Sequence, residues 1–181
     1  MTITTFPPLY VRRLVGALAL DSATFEDVEA DRRATVHAAF TVLLASVGEG
    51  VALRASGGLG TIALMSALAL TGWAAWALLT FEVGARLLPG ARTHSDVGEM
   101  LRTLGFAAAP GLIAFLSLVP GLMMPVLLVS RCWMLLAMVV AVRQALDYDS
   151  TWRAVAVCVV GWLLISGMIL AMAMLGGTTV S

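Results

Sequence analysis

Lysine is absent from this chain, so its eleven basic side chains are all arginines, and they are matched by eleven carboxylates. With no clustered positive excess and no basic or acidic tail, the chain has little with which to displace counterions from a phosphate backbone, which argues against a nucleic-acid partner. Cysteine is scarce as well. Cys132 and Cys158 both lie in apolar runs and read as small hydrophobes rather than as a disulfide or a metal site. His37 and His94 stand without a second ligand at metal spacing. The ten methionines are dispersed and have no neighbouring cysteine or histidine, so they read as packing filler rather than copper ligands. No phosphate loop, nucleophile elbow, HExxH or paired-carboxylate arrangement occurs, and the serines have no nearby base. The expectation is a protein that is not an enzyme, with no catalytic, cofactor-binding or metal-ligating set.

What the chain has in excess is apolar surface. Hydrophobic residues make up 60% of it and the mean hydropathy is +0.96, more than a soluble domain of 181 residues can hide in a core. The solvent must be lipid. Arg12 and Arg13 precede an apolar run ending at Leu20, but the run is too short for a signal peptide and an acidic stretch follows it. Residues 9–20 instead suit an interfacial helix, with a loosely ordered tail as the alternative. Thr24 and Asp27 have capping-box spacing, and Glu29 sits four before Arg33. A helix starting at Thr24 is therefore expected to run unbroken into a first span over 34–53.

Four more spans follow. The turn 54–58 reverses the chain into a second span over 59–88, which Pro89 and Gly90 stop. Ser95 is expected to cap a short surface helix in the polar segment 91–103. A third span over 104–119, interrupted by Pro110, turns at Pro120 and Gly121 into a fourth over 122–142, which contains Pro125. Asp149 or Ser150 caps a fifth over 154–175, with Trp152 at the headgroup boundary. Arg12, Arg13, Arg32, Arg33, Arg86, Arg92, Arg102, Arg143 and Arg153 then fall on one side and Arg54 alone on the other. By the positive-inside rule the amino terminus is cytoplasmic and the carboxyl terminus lies outside. The expected division is a cytoplasmic segment over 1–33, a five-helix membrane domain over 34–175 and a tail over 176–181.

Two charges fall within spans. Arg131 lies nine residues into the fourth, about 14 Å from its outer end and so near the bilayer centre. Insertion there costs about 2.5–3.5 kcal/mol, which the leucines and valines of the span offset at roughly 0.3–0.6 each. Glu49 lies about 22 Å from the inner boundary, within an arginine's reach. The expectation is one buried Glu49–Arg131 ion pair between the first and fourth spans, serving either to dock helices or to line a transport path. Glu82 is about 35 Å past Leu59, beyond the hydrocarbon, and pairs with Arg86 at the surface. Ala63, Ala67, Thr71 and Ala75 form a small-residue stripe on the second span, and Gly161, Gly167 and Ala171 mark possible contacts on the fifth.

Three stretches carry a family resemblance when read together: TFEDVEADRRAT over 24–35, LRTLGFAAAPGLI over 101–113 and VRQALDYDSTWRAVAVCVVGW over 142–162. From about Arg12 to Leu175 the chain resembles bacterial members of the Yip membrane-protein family, named for Rab (Ypt) GTPase interaction in eukaryotes. The resemblance implies a five-helix domain with a cytoplasmic amino terminus in a bacterial inner membrane, and it carries over no catalytic residue. The eukaryotic Asp-Leu-Tyr-Gly-Pro type motif and the longer amino-terminal region have no counterpart here, so Rab-type GTPase binding does not transfer. Two functions are open. One is a scaffold or adaptor that organises membrane or holds a partner membrane protein or further copies of the chain; the other is a small transporter or lipid-translocating protein that uses the Arg131 and Glu49 region.

Overall fold

A computed structural model describes residues 8–52, 59–90, 93 and 95–177. Among them every regular element is helical: α1 (Leu9–Leu18), α2 (Ser22–Ala30), α3 (Ala34–Ala52), α4 (Leu59–Phe81) continued by a π-helical turn (Glu82–Leu87), α5 (Val97–Phe106) followed by a 3-10 segment (Ala109–Leu118), α6 (Met123–Ala145) and α7 (Thr151–Gly177). Four stretches are long and apolar enough to cross a membrane: Ala34–Ala52, Ala63–Leu87, Val97–Leu118 and Met123–Ala145. By length and composition they suggest a membrane protein. Two of their threonines turn back on their own helix, Thr41 to the His37 carbonyl and Thr80 to that of Trp76, which satisfies these donors in an apolar surround. The turn with Arg54, as well as Arg92 and His94, lies outside the described residues.

The third of these stretches is the centre of the bundle, packed against α2, α3, α4 and α6. Its partner α3 buries Ala34, Ala38, Thr41, Ala45, Gly48 and Ala52, which recur alternately four and three apart and so share one helical face. Opposite them sit Gly105 and Gly111, where an added methyl would come within 2.5 Å of the Ala38 Cβ and 2.7 Å of the Ala45 Cβ. The backbones meet with almost no side chain between them. Pro110 has no N–H to return to the Phe106 carbonyl, so the α-helix gives way to i→i+3 bonding, as in Gly111 N–H to the Ala108 carbonyl at 2.9 Å. The Ser130 hydroxyl donates to the Pro110 carbonyl at 3.0 Å and ties α6 to the break.

Here the structure corrects the expected elements. The polar segment before the third span forms no separate surface helix; α5 is continuous with that span and buries Met100, Arg102 and Thr103. Its cap is Asp96, not Ser95, through a reciprocal box in which Glu99 N–H donates to Asp96 Oδ1 at 2.8 Å and Asp96 N–H to Glu99 Oε2 at 2.9 Å. The hairpin at Pro120 and Gly121 forms as read, with Gly121 at φ +85° and Leu122 N–H on the Val119 carbonyl. The second span ends in a π turn, where Leu88 N–H reaches back to the Val83 carbonyl at 2.8 Å and Glu82 pairs with Arg86 at 2.9 Å.

The helix expected to run from Thr24 into the first span is broken. Asp21 caps α2, accepting from Ala23 N–H at 3.3 Å, while Thr24 only donates its hydroxyl to Asp21 at 2.7 Å. Asp31 is extended at φ −95° and ψ 101°, and its Oδ1 takes Arg33 N–H at 2.9 Å. The break exists because Arg13 holds Asp31 from the other side. Only 3% exposed, this guanidinium donates at 2.8 Å to both Asp27 Oδ2 and Asp31 Oδ2. Burial opposes its charge, but these bonds outweigh it and raise the guanidinium's pKa; Arg13 in turn holds both carboxylates below their usual range.

Thus α1 does not merely lie on a surface. Trp133 Nε1 donates to the Leu18 carbonyl at 2.9 Å, the Tyr10 hydroxyl meets Thr41, and Leu9, Val11 and Val15 stay exposed. Arg13→Gln is expected to cost about 2 kcal/mol, between an exposed and a buried pair because both aspartates keep some solvent. Hydrogen exchange should then rise across 9–30 while α6 stays protected; unchanged exchange would reject the clip.

Candidate functional site

Glu49 and Arg131 meet. Glu49 lies beside Gly48 in the α3 seam and Arg131 beside Ser130, whose hydroxyl is fixed on Pro110, so the packing that closes the bundle also sets both side chains. The guanidinium Nη2 donates to Glu49 Oε1, and among the described residues this carboxylate is its one recorded partner. The expectation of burial inside the bundle fails, however: the Arg131 side chain is 59% exposed and Glu49 34%. The reason is the rotation of α6, which turns Met124, Leu128, Leu135 and Leu136 outward and leaves Arg131 on the flank of that face. Behind the pair is a groove of about 140 Å³ lined by small residues, including Ala45, Ser46, Ala69, Gly111 and Ser130.

The other sequence candidates divide. Ala63, Ala67, Thr71 and Ala75 are exposed among the described residues, so the second span's stripe is not the seam of this bundle. Gly161 is a real contact, lying under the ring of Trp76 on α4, whereas Gly167 is exposed with nothing within 4 Å of an added Cβ. Pro110 starts the 3-10 segment, Pro120 and Gly121 form the hairpin, and Pro125 sits exposed in the first turn of α6, where its missing N–H costs nothing.

A second site, absent from the sequence reading, lies at the end of the bundle that carries α2. An open cleft of about 660 Å³ is lined by Glu26, Glu29, Glu99, Asp147, Asp149 and Arg143. Three of these carboxylates, Glu29, Glu99 and Asp147, are placed by helix ends. Glu99 is the capping-box residue of α5, and Glu29 is in the last turn of α2, where Arg102 donates to its backbone carbonyl at 2.9 and 2.6 Å. Asp147 is left-handed at φ 49° just past α6, with Asp147 N–H on the Gln144 carbonyl and Tyr148 N–H on that of Arg143, each at 2.9 Å. Tyr148 closes this end. Its hydroxyl lies 2.7 Å from both the Gly84 and Leu88 carbonyls, groups that the π turn leaves unpaired, and burial raises its pKa.

Gathering these carboxylates affects protonation. Burial, then the charges of Glu99 and Asp147, push Glu29 up to about 7, against a smaller opposing pull from Arg102. Among the described residues no group of three or more histidine, cysteine or carboxylate side chains could hold a metal ion. The arrangement offers negative charge, one arginine and hydrogen-bond acceptors, without a nucleophile paired to a base.

No family model, curated protein or solved structure matches the chain.

Because the folded Glu29 binds its proton more tightly than an ordinary glutamate, the docking of α2 is strongest below the usual glutamate value and weakens as pH rises through about 7. Asp27 and Asp31 run the other way, but their window lies below their usual value of 3.8. Protection factors of α2, that is, exchange corrected for the intrinsic rise of amide exchange with pH, should therefore fall between pH 5 and 8 in the native protein and stay level in Glu29→Gln; an equal pH dependence of protection in both would refute the assignment. Separately, Tyr148→Phe removes the single hydroxyl donor that the Gly84 and Leu88 carbonyls share and should cost about 1–3 kcal/mol in thermal or denaturant unfolding.

Proposed function

We propose that this protein is a membrane-embedded scaffold or adaptor of the Yip type, which holds a partner membrane protein at the carboxylate-lined cleft of its α2 end. In this reading five helices cross a bacterial inner membrane, with the amino terminus in the cytoplasm and the carboxyl terminus outside. The fifth is α7, whose 27 residues extend about 40 Å, ample for a hydrocarbon layer of about 30 Å. Arginines cluster at the end bearing α2 and the cleft, which supports a cytoplasmic position for the cleft. Within segment 1–33, α1 and α2 serve as a cap clipped to the domain over 34–175.

The observation that carries the reading is the cleft's pre-organisation. Its walls come from α2, α5 and the α6–α7 junction, and Arg102 and Tyr148 tie them to neighbouring backbone. A surface fixed in advance binds without the entropic cost of ordering. Its charge selects a partner with a basic cytoplasmic segment. Transport is less well supported, because the groove behind Glu49 and Arg131, about 140 Å³, is smaller than the roughly 300 Å³ at which small-molecule sites begin.

In-cell photo-crosslinking from Glu26 and Gln144, both facing this cleft, is expected to capture a stoichiometric membrane partner. Glu99→Lys combined with Asp147→Lys should weaken its co-purification at least tenfold. Purified protein that moves lipid or solute across vesicles alone, with no partner captured, would replace the adaptor with the transporter.

A further inference from the structure

We propose that the face around Arg131 and Glu49 is a two-fold interface with a second copy of this chain, in which each guanidinium also reaches the other copy's carboxylate. The inference rests on α3 and α6 spanning the membrane. Arg131 is eight residues past Met123 in a helix of 23, about 12 Å from one end and so near its middle. It is more than half exposed, and its exposed neighbours Met124, Leu128 and Leu135 are apolar. In hydrocarbon such an island is costly unless something polar covers it. Glu49 satisfies only part of the group. A guanidinium has five donors and a carboxylate about four lone-pair sites, so the one contact found among the described residues leaves most of both for another partner.

The occupant follows from charge. The face carries one positive and one negative group side by side, which makes it self-complementary under a two-fold rotation. About an axis along the membrane normal, matching groups of two copies lie at the same depth whatever that depth is. Arg131 of each copy then meets Glu49 of the other, and the four groups form a ring of alternating sign. A lipid phosphate fits less well, because it would approach the Glu49 carboxylate along with Arg131. The small residues lining the groove, Ala45, Ser46, Ala69 and Gly111 among them, allow close approach.

The test uses the full-length protein with two different tags, co-expressed and measured in native-lipid vesicles by co-purification and single-molecule photobleaching. Wild type should dimerise. Glu49→Gln alone and Arg131→Gln alone should each dimerise at least tenfold more weakly, since like charges then face each other or no charges cross. Mixing the two variants should restore a heterodimer, because one Arg131 and one Glu49 remain to meet across the axis. Purely intramolecular pairing predicts no such rescue. Should a neutral variant fail to insert, Glu49→Arg combined with Arg131→Glu, which preserves the alternation, carries the test and should dimerise like wild type. Monomeric wild type, single variants that dimerise normally, or Arg131→Gln that sheds anionic lipid while dimerisation is unchanged would each overturn the interface. Alkaline extraction of the same membranes separates the two failures: release of the protein rejects the membrane reading itself, whereas retention with monomers rejects the interface alone.

Discussion

Everything in the bundle is referenced to the seam where α3 and the third membrane-length stretch lie backbone to backbone. In lipid, helices gain nothing from expelling water, so they are held by van der Waals contact and by the few hydrogen bonds that packing permits. Contact of that kind requires small residues on both sides. Ala38 against Gly105 and Ala45 against Gly111 supply them, and the break at Pro110 supplies the hydrogen bond, its carbonyl turned toward Ser130. One residue beyond this seam on each helix stand Glu49 and Arg131. Their meeting is thus a consequence of how closely α3 approaches its neighbour, rather than the cause of it.

The opposite kind of chemistry operates at the α2 end, where helix ends are numerous and polar. Two C-terminal caps there use a left-handed residue that is not glycine: Leu20 after α1, at φ 58°, and Asp147 after α6. Each has a local reason. Leu20 turns the chain so that Asp21 N–H reaches the Gly16 carbonyl and Leu20 N–H that of Ala17, and its side chain packs on the core. Asp147 turns the chain so that Tyr148 enters the π turn while its own carboxylate joins Glu29 and Glu99 at the cleft. The strain of these residues, of order 1 kcal/mol each, is offset by what the turns deliver.

These details explain what could be read in the sequence. The membrane-length helices as such, the Pro120–Gly121 hairpin, the Glu82–Arg86 surface pair and the depths of Glu49 and Arg131, which an arginine side chain can bridge, follow from composition and from 1.5 Å per residue, which tertiary packing does not alter. The helix faces do not follow. Alanine is so abundant that a four-residue stripe on α4 and the 4-3 alternation on α3 give similar signals, and only the partner's glycines distinguish the true seam. Likewise, Ser95 and Asp96 are both good caps, and what favours Asp96 is Glu99 three residues on. The break at Asp31 was hidden for another reason: it depends on Arg13, eighteen residues away in sequence. The cleft was illegible because its carboxylates come from three separate parts of the chain, α2, the start of α5 and the α6–α7 junction.

The two charged regions differ in what their surroundings allow. At the α2 end water is present, so Glu29 can exchange its proton near neutral pH and the cleft can change its charge without unfolding. At the level of Arg131 neither charge is favourably left alone, and a charged group there is best used as a fixed point of register. Under the two-fold arrangement these properties combine geometrically. An axis along the membrane normal sends both clefts to the same side, so a partner with two basic segments, or two linked partners, would meet two titratable sites at a fixed separation. Binding at the second site then becomes intramolecular, and modest contacts at each cleft suffice for tight capture. A scaffold of this kind needs little affinity of its own in either cleft; what it must supply is a distance between them that does not change, and a seam of alanines and glycines, having few rotamers to lose, is suited to holding one.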